Sequence, residues 1–319
     1  MNRIHLTYVV AVAVALFVMA SCQAAGDDVA GSAAARPDAP QAVEGAPTLH
    51  ELKNATYSGF EDLESVRLVD GVSESESYAE DSALRPEVVL LRDFRITGDV
   101  DGDSTDEAVV LLNVSLGGTG QLLHLAVVDR SADRLKNVAT ERVGDRVQVR
   151  GVRIEDGRIL MDVVQAGSGD AACCPGEVTT LGWEWLPEGR LSPLDVSGEP
   201  GRLSLETIGD TEWVLREWSW GELALAEPEV SLRYEDGRLV GRSGCNNYFT
   251  TPEEGEMPGD VSVGPIGSTR MACPEAGMAV ESRFLEQLGA VNGFGFMVTQ
   301  LALSYEKDGA SGVMLLDAR

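Results

Sequence analysis

The feature that most constrains the fold of this 319-residue chain is a series of short apolar runs separated by glycine-rich or charged turns. No long amphipathic helical pattern interrupts them between residues 49 and 195. Short apolar runs bounded by turn residues predict β-strands, and strands joined by tight turns pair antiparallel. The runs are residues 88–96, 108–114, 121–128, 147–154 and 158–165.

Two Asp-Gly pairs, Asp156-Gly157 and Asp236-Gly237, each lie between apolar runs and predict hairpins, because both residue types tolerate positive φ. A Ser-Gly-Glu-Pro-Gly segment at residues 197–201 marks a change of pattern. We therefore expect a mainly β, α+β protein with two antiparallel β-rich domains at residues 49–195 and 204–319. The second domain is expected to pack a single helix on its sheet.

The N-terminus has the layout of an export signal. Arg3 precedes an apolar run, residues 8–19, that is too short to span a bilayer. The run ends in Met19-Ala20-Ser21-Cys22, which resembles the bacterial lipobox, so we expect residues 1–21 to be removed and Cys22 to be acylated. The alternative is ordinary cleavage that leaves Cys22 as a free thiol. By resemblance to Gram-negative lipoproteins, Gln23 favours the periplasmic face of the outer membrane.

Residues 22–48 predict a disordered tether between this anchor and the folded part. Positions 23–48 contain nine Ala, three Gly and three Pro and no aromatic residue. Such a segment buries too little apolar surface to offset the entropy of ordering it.

The charge of the chain excludes one class of partner. It carries 52 acidic and 25 basic side chains, for a formal net charge of −27. Nucleic-acid binding needs a basic surface that displaces counterions from phosphate, and a strongly acidic protein repels a polyanion. We expect no nucleic-acid partner, but a membrane contact through the lipid and a protein partner in the envelope.

Four cysteines remain after Cys22, in a compartment that favours disulfides. Cys245 and Cys273 fall in the same predicted domain, and closing that loop would contribute about 3.5 kcal/mol. Cys173 and Cys174 then form a strained vicinal disulfide or stay a pair of thiols. Zinc is the competing interpretation, but the chain has no CxxC spacing, and only two histidines, His50 and His124, follow the export signal.

Residues 98–110 carry the most informative motif, because oxygen-bearing side chains recur at every second position before an apolar strand. A calcium ion takes six to eight oxygen ligands. Asp99, Asp101, Asp103, the Thr105 carbonyl and Glu107 could supply most of them. The competing interpretation is a solvated acidic turn that binds nothing.

The same loop resembles the DxDGDGxxD/E loops of FG-GAP repeats and related secreted β proteins, with Ser104 in place of the second glycine. The segments GDVDGDSTDEAVVLL, SLGGTGQLLHLAVVD, VGDRVQV and DAACCPG together resemble a poorly characterised β-rich module of bacterial envelope lipoproteins. No established activity follows from that second resemblance.

The last third of the chain carries GCNNY at residues 244–248 and STRMACP at 268–274, followed by a helical pattern to Leu288. These motifs, in this order, resemble the META (HslJ-like) domain, and the resemblance implies a link to stress tolerance. The helical spacing places Met278, Glu281, Phe284, Leu285 and Leu288 on one stripe that can lie across the sheet.

Asparagine and tryptophan residues of the same region are assigned structural roles. Asn246 and Asn247 are expected to form a turn by hydrogen-bonding their own backbone, with ligand contacts as the alternative. Trp218 and Trp220 are expected to pack in the core or at an edge, with a binding face as the alternative.

No catalytic residues are identified. Walker, Rossmann, HExxH and GxSxG motifs are absent from the sequence. We expect a non-enzymatic envelope lipoprotein that serves envelope integrity, stress tolerance or ligand binding. The alternatives are an inhibitor or binding partner of a secreted enzyme, and a thiol–disulfide redox protein that uses Cys173 and Cys174.

Overall fold

A computed structural model describes residues 45–319 except residues 62, 75–84, 132, 133, 172, 197 and 220. The predicted signal peptide, Cys22 and residues 23–44 of the predicted tether lie outside the described residues, as does Trp220. The described part is mostly β, as the strand-like runs predicted, and it falls within one compact unit. Within it, no helix combines the length and apolar character that crossing a membrane requires.

A short helix, α1 (Leu49–Leu52), and a hairpin of β1 (Thr56–Ser58) and β2 (Ser65–Arg67) precede the first sheet. That sheet is antiparallel, in the order β3-β4-β5-β6-β7. Its strands are β3 (Val72–Glu74), β4 (Glu87–Gly98), β5 (Glu107–Ser115), β6 (Leu122–Ser131) and β7 (Arg134–Asp145).

The last residues of the predicted tether are held against this sheet. Thr48 and Glu51 form a capping box at the start of α1. Glu51 also pairs with Arg130 of β6 at 2.5 Å, and Arg130 Nε donates to the Gly45 carbonyl at 2.9 Å. The prediction of a disordered tether was therefore wrong at residues 45–48, because contacts from a distant strand and from α1 hold them.

A second antiparallel sheet has the order β11-β10-β9-β8, with β12 paired to β10. The Asp156-Gly157 hairpin is confirmed: Glu155 pairs with Arg158, and the two turn residues have φ of 50° and 73°. The strands are β8 (Gln148–Glu155), β9 (Arg158–Gln165), β10 (Glu177–Leu186), β11 (Arg190–Leu194) and β12 (Gly201–Arg202).

Strand β5 is buried on both faces, and therefore reads as an almost continuous apolar run. Val110 and Leu112 pack with Tyr57 and the rest of the N-terminal hairpin layer. Leu111, on the opposite face, packs with Met161 and other residues of the second sheet. The first sheet is thus the middle layer of three.

A 3₁₀ helix (Leu205–Ile208) leads into the C-terminal sheet, whose order is β20-β17-β16-β15-β13-β23-β22-β21, with β14 on β13. Strands β18 and β19 form a separate pair. The strands are β13 (Trp213–Ser219), β14 (Glu222–Leu223), β15 (Ser231–Glu235), β16 (Arg238–Arg242), β17 (Asn247–Thr250), β18 (Pro252–Glu254), β19 (Val261–Val263), β20 (Gly267–Ser268), β21 (Val291–Met297), β22 (Gln300–Lys307) and β23 (Ala310–Ala318).

Helix α2 (Glu275–Leu288) begins after Pro274, and Gly289 follows its last residue. Phe284 and Leu288 are fully buried in the core of the C-terminal module, as predicted. The stripe was wrong at Met278, which is 43% exposed, whereas the charged Glu281 is 8% exposed. Partners outside the helix satisfy the buried Glu281 carboxylate, as described below.

The turn between β21 and β22 joins the two modules. Val298 packs in the core of the first module's sheets. Thr299 N donates to the Val149 carbonyl at 2.9 Å, and Phe296 N donates to Gln148 Oε1 at 2.9 Å. These contacts place the C-terminal module on β8, at the edge of the second sheet.

Candidate metal centre and binding groove

The acidic loop connects β4 to β5 and folds around the side chain of Asp99. Asp99 Oδ1 accepts a hydrogen bond from Gly102 N at 2.7 Å, and Oδ2 accepts one from Ser104 N at 3.0 Å. Gly102 and Ser104 have φ of 82° and 72°, in the left-handed region that favours glycine. The Asp99 carboxylate therefore holds Ser104 in a left-handed conformation that glycine adopts more readily.

Three of the five predicted ligands converge. Asp99, Asp101 and Glu107 each place one carboxylate oxygen within 4.8 Å of the others. The Asp103 carboxylate is not part of this group, and its Oδ1 accepts from the N and Oγ1 of Thr105 at 2.8 and 2.6 Å. That local turn uses the Asp103 carboxylate, and the roles of Asp103 and Thr105 as metal ligands stay predictions.

Glu107, the first residue of β5, is only 1% exposed. Its Oε2 accepts from Val100 N at 2.8 Å and from Asp101 N at 3.4 Å. Its Oε1 is buried without a hydrogen-bond partner among the described residues. Burial raises the pKa of Glu107 to about 7, and the charge of Asp101 adds to the rise. A buried carboxylate oxygen without a partner is costly, and a cation would compensate it.

Asp129 on β6 adds negative charge to the same place, and the sequence analysis did not single it out. Burial raises the pKa of Asp101, and the charges of Asp103, Asp129 and Asp99 contribute. The pairing of Ala108 with Val128 brings Asp129 beside the start of β5. Asp129 is placed there by the register of the β5–β6 pair. The spacing of residues within the loop does not predict that register.

The donor chemistry of this centre suits a hard cation. Its side-chain donors are all carboxylate oxygens, which suit Ca²⁺, Mg²⁺ or Mn²⁺ rather than zinc. Calcium needs more oxygens than three carboxylates supply when each offers one, so backbone carbonyls or water would complete its coordination.

The structure pairs Cys245 with Cys273, with their Cα atoms 6.0 Å apart. This bond links the turn before β17 to the loop before α2. Cys173 and Cys174 form a vicinal pair in the loop between β9 and β10, where Cys173 is exposed. Asp170 holds the base of that loop by accepting from Gly167 N at 2.8 Å and Gly176 N at 3.0 Å.

The backbone carbonyl of Asn246 closes a bend by accepting from Ser243 N at 2.8 Å, and its side chain belongs to a buried polar network. Its Nδ2 donates to both carboxylate oxygens of Glu281 at 3.1 and 3.0 Å. Its Oδ1 accepts from Thr269 Oγ1 and Met271 N, each at 2.7 Å. Ser243 Oγ also donates to Glu281, at 3.1 Å. The network therefore ties α2 to two loops, which explains why Glu281 is buried.

An apolar groove of about 310 Å³ lies between the β13–β14 segment and α2. We call it the Trp218 groove. Trp218 is 6% exposed, whereas Leu223 and Leu225 are 74% and 68% exposed. Trp218 is therefore both a buried residue, as predicted, and part of a recessed surface. Its lining includes Leu215, Trp218, Leu223, Leu225, Ala279 and Arg283.

One ion pair crosses the groove. The Arg283 guanidinium donates to both oxygens of Glu222, at 2.5 and 2.8 Å. It also lies 4.5 Å from the centre of the Trp218 ring, in a cation–π contact. The pair lowers the pKa of the Glu222 carboxyl, so the two charges neutralise each other across the groove.

Comparison with known proteins identifies the C-terminal region. Residues 206–316 match the META domain. A comparison with curated proteins gives no match. An NMR structure of a protein from Burkholderia xenovorans is similar at 26% identity, covering 40% of this chain and 97% of that chain, with a TM-score of 0.30.

Proposed function

We propose that this chain, with its META domain at residues 206–316, is a non-enzymatic binding protein of the bacterial cell envelope, held there by lipid on Cys22. A META domain suggests a stress-related or binding role. The export signal and the lipobox-like sequence support the location. The role in envelope integrity or stress tolerance is inferred from the domain.

One observation carries the binding role: the matched region contains a recessed apolar surface on a rigid support. Ala279 and Arg283 of the Trp218 groove come from α2. The same helix is held by Glu281, which bonds Asn246 and Ser243. A wall fixed by a buried network loses little entropy when a partner binds.

We propose that the first module supports the META domain and that bound calcium makes the first module rigid. The buried Glu107 oxygen without a partner supports this role, because it lies in the cluster with Asp99 and Asp101. Calcium there would join the end of β4 to the start of β5.

Metabolic labelling with an alkyne fatty acid tests the anchoring. We expect label on the wild-type chain in the outer-membrane fraction and none on Cys22→Ser, with Cys173→Ser as the matched cysteine control that keeps the label. Intact chain that retains Met1 in the cytosolic fraction would contradict the proposal.

Deletion of the gene tests the role. We expect cells without the protein to lose viability under envelope stress, and the wild-type chain to restore it. Recovery of one stoichiometric hydrolase with the solubilised protein, together with inhibition of that hydrolase by the pure chain, would favour the inhibitor alternative.

Thiol–disulfide exchange is a second candidate, favoured by the exposure of Cys173 beside Cys174. In that reaction, two substrate thiols would be oxidised as the vicinal disulfide is reduced to two thiols. Turnover of a dithiol peptide by the wild-type chain, with oxidised glutathione present as the disulfide that re-oxidises Cys173 and Cys174 and is itself reduced, and loss of that turnover in Cys173→Ser, would establish it. Absence of turnover would reject thiol–disulfide exchange as a function.

A further inference from the structure

We propose that the Trp218 groove binds a basic segment of a partner protein through aliphatic anchor side chains. This inference rests on the proposed binding function and specifies the chemistry of the partner. The inference rests on the shape and apolar character of the groove. It rests also on the acidic character of residues 217–229, which form the side opposite α2.

The groove has the size and chemistry of a binding surface. Its volume of about 310 Å³ lies at the lower end of the range for ligand sites. Leu223 and Leu225 flank it with most of their surface exposed. Exposed apolar groups that surround a recess mark interaction sites, and Leu or Ile anchors are what such grooves accept.

The side of the groove opposite α2 belongs to an acidic segment, residues 217–229, which favours a positively charged occupant. Residues 217–229 contain four glutamates and no lysine or arginine. Glu217, Glu222 and Glu229 each pair with an arginine from elsewhere in the chain. Glu227 is exposed and forms no ion pair with any residue in the described ranges. A basic group near the groove would find this carboxylate available.

The charge of the whole chain favours the same occupant. At a formal net charge of −27, two copies repel each other, and so do the chain and an anionic amphiphile. A basic partner is attracted instead, and complementary charge speeds its association. Aliphatic anchors and positive charge together fit an amphipathic basic peptide segment.

The test uses the purified full chain in nanodiscs of neutral lipid and three fluorescent peptides. The first is an amphipathic Leu/Lys peptide, the second replaces its Leu with Ser, and the third replaces its Lys with Glu. Fluorescence anisotropy, with empty nanodiscs as the blank, measures the dissociation constant of each peptide.

Two exposed alanines of α2 supply matched variants. Ala279→Trp fills the groove, whereas Ala276→Trp places the same side chain on the helix outside the groove lining. We expect the Leu/Lys peptide to bind at least tenfold more tightly than either twin. Ala279→Trp should weaken it at least tenfold, and Ala276→Trp less than twofold.

A second pair of variants tests the charge without disturbing packing. Glu227→Gln should weaken the Leu/Lys peptide about threefold at low salt and reduce its salt dependence. Glu253→Gln, an exposed glutamate outside the groove lining, should leave both unchanged. Melting curves check that each variant is folded.

Several outcomes would overturn the inference. These are equal binding of the Glu-containing twin, unchanged affinity in Ala279→Trp, uptake of the neutral dye Nile red that no peptide displaces, and dimerisation in sedimentation that Ala279→Trp abolishes. The last two would assign the groove to a small apolar ligand or to a second copy. If the peptide does not bind but Cys22 is acylated, the proposed groove partner is rejected and the anchoring proposal stands. If Cys22 is not acylated, only the anchoring proposal is rejected.

Discussion

Glu107 and Glu281 are buried carboxylates, one in each module, and they differ in how their oxygens are satisfied. Both oxygens of Glu281 accept hydrogen bonds from Asn246. Glu107 accepts hydrogen bonds only at Oε2, and its Oε1 has no partner within the described part of the chain. The first arrangement is complete without a ligand, whereas the second is completed by a cation.

This contrast separates a structural acidic group from a candidate ligand site by hydrogen-bond accounting rather than by residue type. Glu281 is surrounded by neutral donors from the loops beside α2. Glu107 faces two further carboxylates, Asp99 and Asp101, within 4.8 Å. Repulsion within that group disfavours the charged state unless a cation is present.

The largest effect is expected where the hydrogen bonds are complete. Glu281→Ala should lower the free energy of unfolding by about 3 kcal/mol, because it leaves the buried backbone N–H of Asn246 without an acceptor and removes one acceptor each from Asn246 Nδ2 and Ser243 Oγ. Urea unfolding with and without calcium measures it, and the loss should be the same in both. Glu286→Ala, on the exposed side of α2, is the control. A loss that depends on calcium would contradict the contrast.

The next largest effect on stability is expected from calcium binding. Calcium at about a hundred times its dissociation constant should stabilise the wild-type chain by about 2.7 kcal/mol, which raises the melting temperature by about 5 °C. Chelation should remove this gain, and Asp101→Ala should abolish the difference. Asp106→Ala, at an exposed position of the same loop outside the cluster, should retain it. Identical melting curves with and without chelator would reject calcium binding.

Glu107→Gln sharpens the contrast because its effect should change sign. In chelator the variant should be more stable than the wild-type chain by about 1 kcal/mol, since a neutral amide replaces a buried charge. With calcium it should be less stable, because a ligand is lost. Glu281→Gln should be destabilising in both conditions. Destabilisation by Glu107→Gln in chelator would show that its carboxylate is already satisfied.

The smallest effect concerns Glu51 at the start of α1. Its carboxylate pairs with a cation of the same chain, Arg130. Its hydrogen bond with Arg130 lowers the pKa of Glu51 from 4.5 to about 2. A lowered pKa contributes stability above pH 4.5 that is lost as the pH falls towards 2. Glu51→Gln should cost about 1 kcal/mol at pH 7, allowing for partial exposure, and only a small part of that at pH 2, where the folded-state carboxyl is about half protonated. Acid unfolding curves measure this, with Glu61→Gln as the exposed control.

The sequence predicted features whose causes are local. The Asp-Gly hairpins follow from turn chemistry, and the structure pairs Glu155 with Arg158 and Glu235 with Arg238 as expected. The position of α2 follows from helical spacing after a proline. Its buried face was wrong at Met278, and the loop partners that satisfy the buried Glu281 are not described by helical spacing.

The candidate metal centre shows the same limit. Alternating carboxylates indicated the loop, and Asp99, Asp101 and Glu107 do converge. Spacing alone did not separate Asp103, whose carboxylate binds Thr105, from the converging three. Nor did it indicate Asp129, because that residue arrives through the register of a neighbouring strand.

Composition and local pattern were thus enough for the β class of the described part and its hairpins, since these depend on neighbouring residues. The Trp218 groove, the burial of Glu281 and the unpaired oxygen of Glu107 required the folded chain. Each arises where segments far apart in sequence meet, and burial or hydrogen-bond satisfaction depends on which atoms lie within a few ångströms.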